Sequence, residues 1–152
     1  MKNMRNKKLT VTIGVPAHNE EVNILYLLRS ILRQKGNNFV IEKILVVCDG
    51  CTDKTASLVR KFSQKHKTIE LTEDGKRKGK MARLNEIYRM NKSDILFTFD
   101  ADVVLKDDSV IKKMVRVFQE NKEVCLVCAH QIPVSSHTFL GKILSISDRI
   151  WQ

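Results

Sequence analysis

Short apolar, β-branched runs alternate along this chain with longer stretches whose apolar residues recur at helical spacing. Thr10-Val11-Thr12-Ile13-Gly14-Val15-Pro16 predicts a buried first strand closed by a proline. A helix is expected at once: Asn19 is placed to cap it, Glu20 and Glu21 suit the positive end of its dipole, and Val22, Leu25, Leu28 and Leu32 mark one face. Ile41 to Cys48 predicts a second strand, broken by Asp49-Gly50-Cys51-Thr52-Asp53 before a helix that carries Leu58, Val59 and Phe62, with Thr52 or Asp53 as its cap. Ile69 to Thr72 is a weak third strand, followed by a charged loop from Glu73 to Gly79 and a helical stripe of Met81, Leu84, Ile87 and Tyr88. Ile95 to Phe99 predicts a fourth strand, Asp107 or Asp108 starts a helix with Val110, Ile111, Met114, Val115 and Phe118 facing the core, and Val124 to Ala129 predicts a fifth strand.

Strand and helix thus alternate throughout, which implies right-handed crossovers and an α/β, mainly parallel sheet with helices on both faces. In such a sheet a ligand sits outside the carboxyl ends of the strands. The 152 residues suffice for a single domain, with a basic tail over 1–8 and an amphipathic segment marked by Phe139, Leu140, Ile143, Leu144, Ile150 and Trp151 that predicts a helical stretch over 131–152.

The excess of 27 Lys and Arg over 17 Asp and Glu, a formal charge of +10, points to an anionic partner without choosing among nucleotide, nucleic acid and acidic membrane. No run approaches the roughly 18–20 apolar residues that cross a bilayer, and the start lacks the apolar core of a signal peptide, so a soluble cytoplasmic protein is expected. Cys48-x-x-Cys51 and Cys125-x-x-Cys128 have the spacing of zinc and redox motifs. In a strand, however, Cys125 and Cys128 would point to opposite faces, so buried, reduced core cysteines are the favoured reading over a structural zinc.

The polar residues gather where the sheet would bind a ligand, just after strands one, two and four. Asp100 and Asp102 are two apart and in extended backbone point the same way, so their hard oxygens can share a divalent cation and leave positions for water and phosphate. An isolated Asp-x-Asp is more often a solvated turn, and it is the other loops that shift the balance. Pro16 to Glu21 and Cys48 to Asp53 put a carboxylate, amides and hydroxyls where a nucleoside would lie, and Asp49 could accept hydrogen bonds from base or ribose. Lys76-Arg77-Lys78-Gly79-Lys80 leads into a helix, where ammonium groups and free backbone N–H suit phosphate oxygens.

Val11 to Pro16 with Asn19-Glu20-Glu21, then Val46-Val47-Cys48-Asp49-Gly50-Cys51-Thr52-Asp53, then Gly79-Lys80-Met81-Ala82-Arg83-Leu84-Asn85, then Phe99-Asp100-Ala101-Asp102 together resemble glycosyltransferase family 2, in the family's order and spacing over about residues 9 to 130. The resemblance implies a GT-A, Rossmann-like fold and inverting sugar transfer from a nucleoside diphosphate, UDP- or GDP-linked, with Mg2+ or Mn2+ as cofactor. By position it implies that Pro16, Ala17, Asn19 and Glu20 line the nucleotide site and that Asp49 meets base or ribose. Lys80 would lie near the donor and Asp100, Ala101 and Asp102 beside the diphosphate, with Asp100 and Asp102 the metal ligands and Asp102 the more direct. His18 stands where an aromatic such as Tyr is common, and Cys51 where Ser is usual.

The family's later acidic motif, which deprotonates the acceptor, and its Gln-x-x-Arg-Trp motif are absent, so the chain reads as a truncated donor-binding part that holds nucleotide-sugar and metal but transfers little. The full-length relative would sit at the cytoplasmic face of a membrane, and the exposed face of the Phe139–Trp151 segment would favour self-association. Neither acceptor nor catalytic base is assigned. A nucleotidyltransferase would want a glycine-rich loop after strand one, where Pro16 to Glu21 has no glycine, and G-x-G-x-x-G is missing altogether. A basic nucleic-acid module fits the charge, but at 6% aromatics no stacking platform is visible, and nucleic acid is not expected as a partner.

Overall fold

The computed structural model describes residues 8–130 and Ile132. The predicted tail before residue 8 and the predicted helical segment from residue 131 fall, apart from Lys8 and Ile132, outside them. The order is β1 (Leu9–Ala17), α1 (Ile24–Leu32), β2 (Phe39–Cys48), α2 (Thr55–Ser63), β3 (Ile69–Glu73), α3 (Lys80–Met90), β4 (Ile95–Thr98) and α4 (Val110–Glu120). The four strands form one sheet in the order β3-β2-β1-β4, and every pairing is parallel.

The period-2 alternation of the strands distributes the core. Val11, Ile13 and Val15 of β1 and Ile44 and Val46 of β2 are buried in one cluster with Ile24, Leu27, Leu28 and Ile31 of α1, Val59 of α2 and Ile111 and Val115 of α4. The intervening residues of β1 face α3. Thr12 Oγ1 is 2.8 Å from Ser93 Oγ, and Gly14 lies so close to Ile87 that a Cβ there would come within 2.3 Å of its Cγ2. Helices therefore cover both faces, as the alternating pattern predicts.

Three expectations are corrected. The helix after β1 begins at Ile24 with Asn23 in the capping position, and Val22, predicted to face the core, is 72% exposed. Asn19 adopts φ 55°, a left-handed conformation that asparagine tolerates, and its carboxamide is spent on the neighbouring loop, not on α1. On α3, Ile87 is buried but Met81 and Tyr88 are exposed. Lastly, residues 124–129 form no strand, and Cys125, Cys128 and Leu126 are exposed. An apolar run becomes a strand only where a neighbour accepts its hydrogen bonds, and this one pairs with none of the four strands. Cys48 is buried as predicted, Cys51 is half-buried, and all four thiols are free. Among the described residues no helix is long and apolar enough to cross a membrane.

Candidate functional site

The strand order places a topological switch between β1 and β4: the chain leaves β1 toward β2 and β3 on one side, then returns to β4 on the other. The loops at the carboxyl ends diverge there and leave a crevice. An open cleft of about 320 Å³ lies at this point. Pro16, Ala17, His18 and Glu20 reach it from the end of β1, Asp49 from the end of β2, Arg77, Gly79 and Lys80 from the approach to α3, and Asp100, Ala101 and Asp102 from the end of β4. Of the predicted site residues only Asn19 is outside the lining. Its Oδ1 accepts from the Thr52 amide at 2.8 Å and its Nδ2 donates to Thr52 Oγ1 at 3.2 Å, so it ties the loop after β1 to the loop after β2.

The two loops are joined again beneath the cleft. The Asp49 amide donates to the Ala17 carbonyl at 2.8 Å, and His18 Nδ1 lies 2.6 Å from the Asp49 carbonyl, which fixes the proton on Nδ1. The Asp49 side chain is buried and turned toward α3: Oδ1 accepts from the Lys78 amide at 2.6 Å and from Arg83 Nε at 3.0 Å, and Oδ2 from the Gly79 amide at 3.0 Å. Burial pushes the Asp49 carboxyl up, but the Lys78 amide, the Arg83 guanidinium and the Gly79 amide together hold it below its ordinary value. Asp49 thus lines the cleft while most of its accepting capacity serves the protein itself. Gly79, at φ 90° and ψ 155°, adopts a backbone open essentially to glycine alone, and this brings its N–H onto the carboxylate.

Also in the lining, Lys80 Nζ pairs with Asp100 Oδ1 at 2.6 Å. Ala101 is buried and anchors the turn between the two acids, whereas Asp102 is exposed. Asp100 and Asp102 enter the cleft from one short turn, and no set of three His, Cys, Asp or Glu side chains that could hold a metal occurs among the described residues. This donor set fits a hard divalent cation that takes part of its shell from water and a ligand's phosphates, and does not fit an all-protein cage.

Three contributors carry no individual site assignment in the sequence: His18 and Arg77, which stand there only as members of their loops, and Arg83. His18 and Arg77 line the cleft, and Arg83, 1% exposed, is the cation that neutralises Asp49. Arg83 stands in the sequence within the motif Gly79 to Asn85 and inside the stripe Met81, Leu84, Ile87, where a buried charge requires a partner.

The family model for glycosyl transferase family 2 matches residues 12–147. The probable glycosyltransferase YdaM of Bacillus subtilis is 26% identical over 145 residues, covering 93% of this chain and 34% of that protein. The dolichyl-phosphate beta-glucosyltransferase ALG5D of Trichomonas vaginalis is 28% identical over 153 residues, covering 92% and 46%. Among solved structures, the mannosyltransferase PcManGT of Pyrobaculum calidifontis, in complex with GDP-Man and Mn2+, superposes with a TM-score of 0.67 at 27% identity, over 75% of this chain and 33% of that one. The S. aureus protein TarS 1-349, in complex with UDP-GlcNAc, shares the fold at a TM-score of 0.65 and 20% identity, over 82% of this chain and 38% of that one. This chain spans about a third to a half of the length of these relatives. The crossover order, the cleft at the switch point and the match over residues 12–147 lead to one conclusion: the chain belongs to glycosyl transferase family 2.

Proposed function

We propose that this chain binds a nucleoside-diphosphate sugar, UDP- or GDP-linked, in the cleft at the ends of β1, β2 and β4, as the donor half of an inverting glycosyltransferase. The observation that carries this reading is the convergence of residues from four separate loops, which brings carboxylates and cations together in the lining of one crevice. Complexes of two similar structures, PcManGT with GDP-Man and Mn2+ and TarS 1-349 with UDP-GlcNAc, support it.

In this reading Pro16, Ala17, Glu20 and Asp49 line the nucleoside end, while Asn19 keeps their two loops together. Asp100 and Asp102 would hold Mg2+ or Mn2+, and a cation there would supply positive charge to offset that of the departing diphosphate. Lys80 brings an ammonium group to the same edge, and Arg77 a guanidinium. The sugar's anomeric carbon is then open to a single displacement by an acceptor hydroxyl, with inversion.

Isothermal titration of the chain with UDP and with GDP, in Mn2+ and again in EDTA, tests this. Saturable heat with one of them in Mn2+, lost in EDTA, is the expected result. An absence of binding by both in Mn2+ would contradict it.

A further inference from the structure

We propose that Arg83 is a positioning residue for this site, latching the basic loop 74–79 to Asp49 and so setting where Arg77, Gly79 and Lys80 meet the ligand. The proposal rests on the nucleotide-sugar reading above for the ligand, but the latch itself is read from the structure of the loop.

The loop has every reason to be loose. Lys76, Arg77, Lys78 and Lys80 repel one another, and Gly75 and Gly79 both sit at positive φ with open space around them. Arg83 opposes this with all five of its N–H donors. Nε donates to Asp49 Oδ1 at 3.0 Å; Nη1 donates to Glu86 Oε2 at 2.9 Å and Asp74 Oδ2 at 3.3 Å; Nη2 donates to Asp74 Oδ1 at 2.7 Å and to the Lys76 carbonyl.

The loop is therefore gripped at its start through Asp74, in its middle through Lys76, and at its end where Asp49 accepts from the Lys78 and Gly79 amides. Lys78 Nζ reinforces the grip by pairing with Asp74 Oδ2 at 2.6 Å and Glu86 Oε1 at 2.9 Å. Beneath the loop, Gly50 lets the Arg77 backbone settle: a Cβ at Gly50 would come 2.9 Å from Arg77 N. Arginine is required because lysine is a point charge with three donors and cannot span Asp49, Asp74, Glu86 and a carbonyl together.

Asp74 makes the proposal separable from a general loss of stability. It lies on the loop outside the cleft lining, with its side chain 34% exposed, and its role is to hold the far arm of the Arg83 fork. The experiment compares Arg83→Lys, Asp74→Ala and the distant control Lys113→Ala with wild type. Three readouts are taken: thermal unfolding, the rate of tryptic cleavage within 76–80 located by mass spectrometry, and affinity for UDP and GDP in Mn2+. With the thermal transition still cooperative, Arg83→Lys and Asp74→Ala are expected to raise loop cleavage and to weaken nucleotide binding about tenfold each, because a preorganised loop has become mobile. Lys113→Ala should match wild type. Unchanged cleavage and unchanged affinity in Asp74→Ala would overturn the latch, and that variant also decides the matter if Arg83→Lys does not fold. If wild type binds neither nucleotide, the nucleotide reading fails, and the cleavage arm alone then decides whether Arg83 holds the loop.

Discussion

Lys80 and Asp100 meet across the mouth of the cleft, Nζ to Oδ1 at 2.6 Å, although one opens α3 and the other follows β4. Both side chains are about half exposed, at 58% and 46%, so the pair contributes little to folding and is free to exchange its partner for a ligand.

From this pair follows a separation of affinity from stability. Lys80→Ala should weaken UDP or GDP binding about tenfold through the lost ammonium. It should leave unfolding free energy within about 0.5 kcal/mol of wild type, as for exposed ion pairs generally. Calorimetry alongside urea denaturation measures both.

Asp102 makes no hydrogen bond or ion pair with any described residue, yet it lines the cleft beside Asp100. Asp102→Ala should abolish the difference between nucleotide affinity in Mn2+ and in EDTA while the thermal midpoint stays put. An unaltered Mn2+ dependence would remove Asp102 from the proposed cation site.

The approach of β1 to α3 sets a packing test. Gly14→Ala places a methyl 2.3 Å from Ile87 Cγ2 and should destabilise the fold by about 1–3 kcal/mol. Adding Ile87→Ala removes the obstructing group, so the double variant should lose less than the sum of the two single losses, which a double-mutant cycle in urea reads directly.

The carboxylates around Arg83 give a pH dependence with a definite sign. Arg83, followed by Lys78, holds the Asp74 carboxyl far below its ordinary value, Lys78 and then Arg83 lower Glu86, and Asp49 is lowered against its burial. Groups depressed in the folded state contribute fully above their ordinary values of 3.8 for Asp and 4.5 for Glu, and that contribution drains away as pH falls through the folded-state values. Stability should therefore be level near neutrality and drop below about pH 4.5. Asp49→Asn, which leaves the buried Arg83 with one counter-charge fewer, should cost about 3 kcal/mol at pH 7 and flatten the acid slope. Urea midpoints across pH check both parts.

How much of this was legible beforehand depends on the range of the forces involved. β1 to β4 and the four helices announce themselves because alternation and helical spacing are local properties, and the clustering of Asp49, Asp100 and Asp102 at one rim follows from parallel topology. What depends on distant partners was not legible. The run 124–129 has a strand's composition but no strand beside it, so Leu126 stays 80% exposed. Asn19 looks like a helix cap, but Thr52 and Asp53 claim its side chain from another loop, and α1 starts after Asn23 instead. Arg83 reads as one more helix surface charge until the fold carries Asp49 and Asp74 to it.

The central claim, that the ends of three crossover strands build one site for a nucleotide diphosphate and its cation, is tested most directly by paramagnetic broadening of backbone amide NMR signals on adding Mn2+ with UDP or GDP. The account predicts selective loss of signals around Ala101 and Asp102, with graded loss through Ala17 to Glu20, Asp49 and Gly50, and Arg77 to Lys80. Broadening centred instead on the second crevice, lined by Arg33, Lys35, Asp107, Asp108 and Lys112, or spread evenly over the surface, would contradict it.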